Sequence, residues 1–372
     1  MLIIFAVFIC AALGAHPHWS WDKLSSFLHC SNFSGDFNEN ALQIASSVGY
    51  TVIEKYQALN SAPLQRNEEE KVVRTARAIR SLNPNATLFL YWAIDLLRAP
   101  WYDFAINFDK SPALEVRNAD GTLCTHISTD HGGPYPFHVP DYGQQSAINT
   151  FVNGVVEMMS IKDANGMPLF DGLWMDGYRD PGSQWPHTLI PNASSATQSA
   201  WMKGVSTVGP ALASAFPSSI RLINGGSDPV NTWPGYNGVC IEFFSPSDSN
   251  IAYLQRVSGK YFVEAHNYNF GGSIATFNAT IAAYLIGVNE GSYLGMGAAW
   301  DTCEDMLQWL ERDEWNKPLG APDGPASRSL VSTGGSIWTR TFGGNRTRVR
   351  INTGNLATCI VWADNSTTGC EV

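Results

Sequence analysis

The feature that most constrains the fold of this chain is a short apolar run that recurs many times. Each run is followed by a loop or a helical pattern. Apolar residues at i, i+3, i+4 and i+7 spacing predict helices at 66–82, 146–161, 197–216 and 302–312. The apolar runs predict eight strands, at 27–32, 51–57, 86–95, 170–178, 220–224, 238–244, 260–267 and 283–294. Continuous apolar strands that alternate with helices are typical of a parallel sheet covered on both faces.

Eight such units between residues 16 and 312 predict an α/β fold of the (β/α)8 TIM-barrel type, whose usual length is about 250 residues. The alternative is an open doubly wound sheet. That alternative is disfavoured because neither GxGxxG nor GxxxxGK[ST] follows any of the strands. We therefore expect residues 16–312 to form one barrel domain.

The sequence pattern changes after residue 312. Several prolines and glycines lead into short alternating segments at Ser336–Phe342, Thr347–Asn352 and 358–363. Alternation of this kind predicts antiparallel strands with one face buried. Residues 313–372 are thus predicted to form a small C-terminal β domain, sandwich-like and packed on the barrel.

Residues 1–15, MLIIFAVFICAALGA, form an apolar run without a charged side chain that ends in small residues. The run is shorter than the about 20 residues of a membrane-spanning helix, so it predicts a secretory signal peptide. A buried N-terminal strand or helix is the alternative. We expect the mature protein to be secreted, or to lie in the lumen of the secretory pathway, with no membrane partner.

Cysteines and sequons fit that location. Six cysteines follow Cys10, enough for three disulfides, and Cys359–Cys370 is the simplest pair to predict. Cys240 lies in an apolar strand pattern and has a buried thiol as its alternative. Six N-x-S/T sequons predict N-glycans. They are Asn32, Asn85, Asn192, Asn278, Asn345 and Asn365.

The low content and the negative balance of charged residues limit the partners that this protein can bind. Only 15% of the residues are charged, the formal net charge is −10, and no block rich in Lys and Arg occurs. Nucleic acids require clustered cations, so a nucleic-acid partner is disfavoured. HExxH and CxxC are absent. His126, His131 and His138 share one long loop without regular ligand spacing, so we expect no metal and no cofactor, with a metal-dependent hydrolase as a minor alternative.

Polar residues at the C-terminal ends of the strands form the active site of a barrel. Those predicted at the strand ends are Glu54, Gln57, Tyr91, Trp92, Asp95, Asp176, Tyr178, Asn224, Glu242, Glu264, His266, Asn267, Asn289 and Glu290. Several carboxylates thus converge beside aromatic rings and amides. Cleavage of a glycosidic bond needs one carboxyl group as an acid and a second carboxylate as a nucleophile or base.

Asp176 and Glu242 are the predicted catalytic pair. Asp176 ends the strand FDGLWMD before a glycine turn, and Glu242 ends the apolar run GVCIE, where an unpaired carboxylate is costly to bury. A salt bridge to Arg179 or a turn-capping role is the alternative for Asp176, and a structural buried pair is the alternative for Glu242. Glu264 competes for the second role. The predicted substrate-binding residues are Glu54, Tyr91, Trp92, Asp95, Tyr178, Asn224, Glu264 and His266.

Three motifs resemble a known family. DGLWMDGY at 171–178, the NGG of Asn224–Gly226 and GVCIEFF at 238–244 are similar to hypothetical glycosyl hydrolase family 15, and KPLG at 317–320 with WTRTF at 338–342 resembles its C-terminal β region. The similarity spans about residues 22–362. It implies a barrel with Asp176 and Glu242 as functional carboxylates acting on a carbohydrate. A non-catalytic carbohydrate-binding or structural glycoprotein on the same scaffold is the alternative.

Overall fold

The computed structural model describes residues 19–58, 68–95, 103–128, 135–179, 185–225, 228–268, 270–297, 302–332 and 334–370. The predicted signal peptide at 1–15 lies outside the described residues, as does His131. None of the helices in these ranges is long and apolar enough to cross a membrane.

Ten strands precede residue 300 in the described parts of the chain. They are β1 (Phe27–Cys30), β2 (Tyr50–Ile53), β3 (Leu88–Ala93), β4 (Thr125–Ser128), β5 (Tyr135–His138), β6 (Gly172–Asp176), β7 (Ile220–Asn224), β8 (Gly238–Ile241), β9 (Phe262–Asn267) and β10 (Ser292–Met296). Strands β4 and β5 pair as a separate antiparallel hairpin. The other eight pair in parallel and in chain order. A bridge between Ser26 and Leu294 joins the first strand to the last, so the sheet is a nearly closed barrel.

Helices alternate with the barrel strands. They are α1 (Glu39–Ala45), α2 (Glu68–Leu82), α3 (Ile106–Asp109), α4 (Gln145–Met159), α5 (Trp185–Leu189), α6 (Ser195–Ala215), α7 (Pro229–Thr232), α8 (Asp248–Val257), α9 (Ile274–Gly287) and α10 (Glu304–Leu310). At least one helix lies between every two successive barrel strands, as a (β/α)8 barrel requires. Asn38, Ser194, Ser247 and Ser273 cap four of them by accepting a backbone N–H three residues ahead.

The last barrel strand was predicted at 283–294, and that prediction is wrong for its first half. Residues up to Gly287 belong to α9, and the strand begins at Ser292. Helix α9 is buried on most of its surface because the C-terminal sheet covers its outer side. A helix that is apolar all round shows no helical periodicity, so the pattern could not separate it from a strand. Asn289 and Glu290 consequently precede β10 instead of following it.

Five strands form the C-terminal sheet. They are β11 (Ser327–Leu330), β12 (Ser336–Phe342), β13 (Thr347–Asn352), β14 (Thr358–Val361) and β15 (Thr367–Thr368), paired antiparallel in chain order. The predicted strands at 336–342 and 347–352 are confirmed at both ends. Within the described residues no second sheet faces this one. Helix α9 is its second layer, which differs from the predicted sandwich-like packing.

Four aromatic rings fill the lower interior of the barrel. Tyr50 contacts Phe89 and Tyr293, with ring centroids 4.7 and 5.1 Å apart, and Phe262 contacts the same two rings at 5.4 and 5.0 Å. Strands β3 and β9 are not neighbours in the sheet, so the Phe89–Phe262 contact crosses the interior. The rings form a closed apolar floor beneath the polar strand ends.

Two disulfides occur among the described cysteines. Cys359–Cys370 confirms the predicted pair, and Cys30–Cys303 joins the end of β1 to the start of α10. Cys124 and Cys240 are buried free thiols, so two of the up to three possible disulfides form, and Cys240 follows its buried-thiol alternative. The sequon residues Asn85, Asn192, Asn345 and Asn365 are exposed, whereas Asn32 and Asn278 are partly buried.

Candidate active site

Two carboxylates meet at one amide at the C-terminal ends of β6, β7 and β8. Asn224 Nδ2 donates to Asp176 Oδ1 at 3.0 Å and to Glu242 Oε2 at 3.2 Å. Tyr91 Oη donates to the other oxygen of Asp176 at 2.5 Å. Parallel neighbours end at one edge of a sheet, which is why residues far apart in sequence converge here. The structure therefore brings together four of the predicted site residues.

The two carboxylates differ in environment. Burial, and then the negative charge of Asp176, raise the pKa of Glu242, and the hydrogen bond from Asn224 opposes this only in part. Glu242 thus keeps its proton to higher pH than an isolated glutamic acid does. A carboxylic acid with a raised pKa beside a hydrogen-bonded carboxylate is the division of roles that acid–base chemistry at one bond needs.

A buried ion pair lies beside Tyr91. Lys55 Nζ donates to Glu54 Oε1 at 2.6 Å and lies 4.6 Å from the centre of the Tyr91 ring. The Tyr91 ring also stacks on Trp174, with a centroid distance of 5.3 Å. Glu54 was a predicted site residue, whereas Lys55 was missed. Its position directly after Glu54, at the end of an apolar run, was the available signal.

Glu264 lies deeper in the barrel and is fully buried. Its oxygens accept hydrogen bonds from Tyr50 Oη at 2.6 Å, Trp174 Nε1 at 3.1 Å and His29 Nδ1 at 3.2 Å. Burial alone would raise the pKa of Glu264, but the nearby His29 and these hydrogen bonds hold it below its usual range. Glu264 is therefore an ionised carboxylate enclosed by donors beneath the Asp176–Glu242 pair.

His266 belongs to the same buried layer. Its Nε2 lies 2.9 Å from the carbonyl oxygen of Gly297, and its Nδ1 lies 3.8 Å from Glu264 Oε1. Burial lowers the pKa of His266 to about 4, so the ring is neutral at pH 7. Among the described residues, His29, Glu264 and His266 are the one group whose donor atoms lie close enough for a metal ion, within 4.8 Å. Hydrogen bonds from Tyr50 and Trp174 already engage Glu264 there.

Three further predicted residues, Trp92, Tyr178 and Asp95, have contacts of other kinds. Trp92 packs against Phe104 at 5.0 Å, on the opposite face of β3 from Tyr91. Tyr178 shares a 2.5 Å hydrogen bond between hydroxyls with Tyr236. The Asp95 carboxylate packs against Gly177, where a Cβ would clash with it and φ is +84°. Trp92 and Tyr178 thus pack away from the carboxylate pair, whereas the Asp95 carboxylate lies against the residue directly after Asp176.

A cavity of about 460 Å³ opens beside Glu242, which forms part of its wall together with Asn224, whereas Asp176 is not among its described lining residues. Helix α8 lines another side through Ser249, Tyr253 and Arg256, which share one face of the helix. Arg179 completes the rim, and its Nη1 donates to the carbonyl oxygen of Tyr178 at 3.0 Å. In the described part of the chain it forms no ion pair with Asp176, so the salt-bridge alternative for Asp176 is not supported.

The histidines of the long loop do not form a cluster in the described residues. His138 Nδ1 on β5 lies 2.5 Å from Glu115 Oε2. His126 lies on β4, where its backbone partner is Phe137. The hairpin thus engages His138 with a carboxylate of its own loop.

Several solved structures are similar to this chain. Sucrose 6F-phosphate phosphorylase from Thermoanaerobacter thermosaccharolyticum is similar with a TM-score of 0.52 at 8% identity, over 95% of this chain and 99% of that one. A variant of the GH36 α-galactosidase AgaA from Geobacillus stearothermophilus, in complex with 1-deoxygalactonojirimycin, gives 0.49 at 13% identity over 88% of this chain and 47% of that one. The glycoside hydrolase domain of PelA from Pseudomonas aeruginosa gives 0.42 at 14% identity over 74% and 94%.

No protein-family model and no curated protein sequence matches this chain. At 8% identity the phosphorylase shows a common barrel fold and nothing finer. The resemblance to hypothetical glycosyl hydrolase family 15 therefore stays a prediction, and the geometry of the site is what bears on function.

Proposed function

We propose that this protein is a glycoside hydrolase that uses Asp176 and Glu242 to cleave a poly- or oligosaccharide. The observation that carries the proposal is the single amide of Asn224, which donates to both carboxylates and lines one cavity together with Glu242. Aromatic faces and amides beside a carboxyl pair suit sugar rings and hydroxyl groups.

The proposed reaction proceeds in two steps. Glu242 donates its proton to the glycosidic oxygen while Asp176 attacks the anomeric carbon, so the bond to the leaving group breaks as a glycosyl–Asp176 ester forms. Glu242, now ionised, then removes a proton from water, which displaces Asp176 and restores both carboxyl groups. No external oxidant, metal or cofactor enters this balance.

The separation of the carboxylates favours retention of configuration. Asp176 Oδ1 and Glu242 Oε2 are 3.0 and 3.2 Å from one nitrogen, which cannot place these two oxygens as far apart as the ~6.5–9.5 Å typical of inverting enzymes. Tyr91 and Asn224 act as positioning residues, because each donates to a different oxygen of Asp176. Inversion, read from the anomer released first, would contradict the two-step mechanism.

The decisive experiment measures reducing-end release from a broad polysaccharide panel by wild type, D176N and E242Q. We expect each variant to fold normally and to lose about 10²–10⁴-fold in turnover. E242Q should lose less on an aryl glycoside, whose good leaving group needs little protonation. D313N is the matched control, since Asp313 is exposed. Near-normal turnover by D176N would overturn the assignment, and glycan retention without release would favour the non-catalytic binding protein.

We also propose that the chain is a secreted glycoprotein modified at Asn85, Asn192, Asn345 and Asn365, the four exposed sequons. Expression with its own N-terminus in a eukaryotic secretory host should place it in the medium, with a mass that falls on deglycosidase treatment. An unchanged mass would contradict the glycans.

A further inference from the structure

The wall of the cavity beside Glu242 is positively charged, although the protein as a whole is acidic. The chain has 23 Lys and Arg against 33 Asp and Glu, yet two arginines, Arg179 and Arg256, line this one cavity. Glu242 is the one carboxylate among its described lining residues. With two guanidinium groups against one carboxylate, the lining is net positive, and Asp228, which lies near Arg256, is not part of the described lining.

Neither guanidinium is fully engaged. Arg179 donates to a backbone carbonyl and forms no ion pair within the described ranges. Arg256 forms a long ion pair with Asp228, with 3.8 Å between Nη1 and Oδ2, which is beyond hydrogen-bond distance, and Asn231 donates to the same oxygen at 3.0 Å. The Arg256 guanidinium stacks 4.8 Å from the centre of the Tyr253 ring, an arrangement that orients it at low conformational cost.

A third group points the same way. The hydroxyl oxygen of Tyr253 is buried in the cavity wall, and no hydrogen-bond partner is found for it in the described part of the chain. Burial keeps the pKa of Tyr253 well above its usual value, so the hydroxyl stays a donor. Buried polar atoms are satisfied in the great majority of native sites, so a ligand that accepts hydrogen bonds would complete this one.

We propose that this cavity is an anion-binding subsite, in which Arg179, Arg256 and Tyr253 bind an acidic group on the sugar beside the scissile bond. The inference rests on the proposed function and deepens it, because it makes the substrate an acidic glycan. Carboxylate, sulfate and phosphate share the required chemistry, as each accepts charge-assisted hydrogen bonds from guanidinium groups.

The test compares matched substrates that differ only in charge. A uronic acid oligosaccharide is offered beside its carboxyl-reduced form, and a sulfated one beside its desulfated form. Wild type should prefer one acidic member by about 10-fold or more in kcat/KM, and this preference should shrink with added salt. The pair that responds identifies which acidic group the subsite takes.

Variants then locate the preference. R179Q, R256Q and Y253F should each lower the acidic-to-neutral ratio of kcat/KM, by about 10-fold for the arginines, through KM rather than kcat. R350Q is the control, because Arg350 is exposed on β13 of the C-terminal sheet. An unchanged ratio in both arginine variants would overturn the subsite.

Binding separates the two hypotheses. Titration calorimetry with the acidic oligosaccharide reports the subsite without turnover. Arginine-dependent binding without cleavage would sustain the subsite and contradict the hydrolase. Equal cleavage of acidic and neutral members would sustain the hydrolase and contradict the subsite.

Discussion

Two carboxylates in this molecule are each surrounded by hydrogen-bond donors, one inside the barrel and one where the barrel meets the C-terminal sheet. Glu264 takes its donors from β1, β2 and β6, on different sides of the barrel interior. Asp248, at the start of α8, takes its donors from the sheet: Arg328, Ser336, Trp338 and Thr353.

The difference lies in access to water. Glu264 is fully buried, whereas the Asp248 side chain is 28% exposed. When a buried carboxylate or one of its donors is removed, the remaining group has no substitute partner. At a partly exposed site, water takes the place of the missing group. The same kind of cluster is therefore a structural requirement in the barrel and a modest contribution at the junction. Because α8 also lines the cavity, the junction positions one wall of the site.

The largest effect is expected from E264A. The variant leaves Tyr50, Trp174 and His29 as buried donors without their acceptor, so we expect a loss of about 3–5 kcal/mol in the free energy of unfolding. Urea unfolding followed by tryptophan fluorescence measures it. E264Q, which preserves the volume and an acceptor, should lose less. A loss below about 1 kcal/mol in E264A would remove the distinction between the two clusters.

The clusters around Glu264 and Asp248 should also contribute to the free energy of unfolding over different pH ranges. His266 has a pKa of about 4 when folded and near 6.5 when unfolded, so only the unfolded chain binds this proton between those values. The free energy of unfolding should therefore fall as the pH drops from 6.5 towards 4, by at most about 1.4 kcal/mol per pH unit. Urea midpoints across this range measure the slope, and H266Q should flatten it.

The control for that slope is H126Q, because His126 is exposed on the β4–β5 hairpin. At the junction, burial acts against ionisation of Asp248, but its hydrogen bonds outweigh burial and lower the pKa to about 2. The Asp248 contribution is thus present above about pH 3.8 and fades only towards pH 2. If stability falls with pH between 6.5 and 4 as steeply in H266Q as in wild type, His266 in the barrel is not the cause of that fall.

A smaller effect is expected from D248A. It removes the shared acceptor of four side chains at a partly exposed position, and we expect a loss of about 1–2 kcal/mol. Because α8 carries Tyr253 and Arg256, KM for an acidic substrate should rise as well. D313A serves as the control with an exposed aspartate. A loss matching that of E264A would mean that water does not compensate at the junction.

The smallest effect is expected from T353V. Thr353 Oγ1 donates to Asp248 Oδ1 at 2.8 Å, and three other donors remain after its removal. We expect about 0.5–1 kcal/mol in unfolding free energy, measured as above. T125V, at an exposed position of β4 whose hydroxyl forms no hydrogen bond among the described residues, gives the baseline for this substitution. A larger loss of unfolding free energy than in D248A would show that Thr353 acts mainly through Ser336, because Thr353 Oγ1 also accepts a hydrogen bond from the backbone N–H of Ser336.

Sequence reasoning located most of the barrel because buried parallel strands are continuous apolar runs. It failed at α9 for the same reason, since a helix buried on all sides is equally continuous. At the site it placed Asp176, Glu242, Asn224 and Tyr91 together, because each lies at or near the end of a barrel strand. The pairing of residues across the interior, such as Tyr50 with Glu264, depends on strand tilt and was not readable from the chain.

Two side chains show where the pattern itself held more information. Tyr91 and Trp92 are consecutive on β3, so they point to opposite faces, and only one could enter the barrel. Tyr178 follows Gly177, whose positive φ turns the chain away from the strand direction. Tyr253 was missed because it lies on α8, a helix that the periodicity of the sequence did not predict.

The disulfide between Cys30 and Cys303 has a consequence for the unfolded chain. It spans 273 positions, from the first barrel strand to the helix after the last, so it makes the denatured barrel segment a covalent loop. Loop-closure theory gives about 5–6 kcal/mol of lost chain entropy for a loop of that length. The first and last strands, which must find each other for the barrel to close, therefore start folding already tethered.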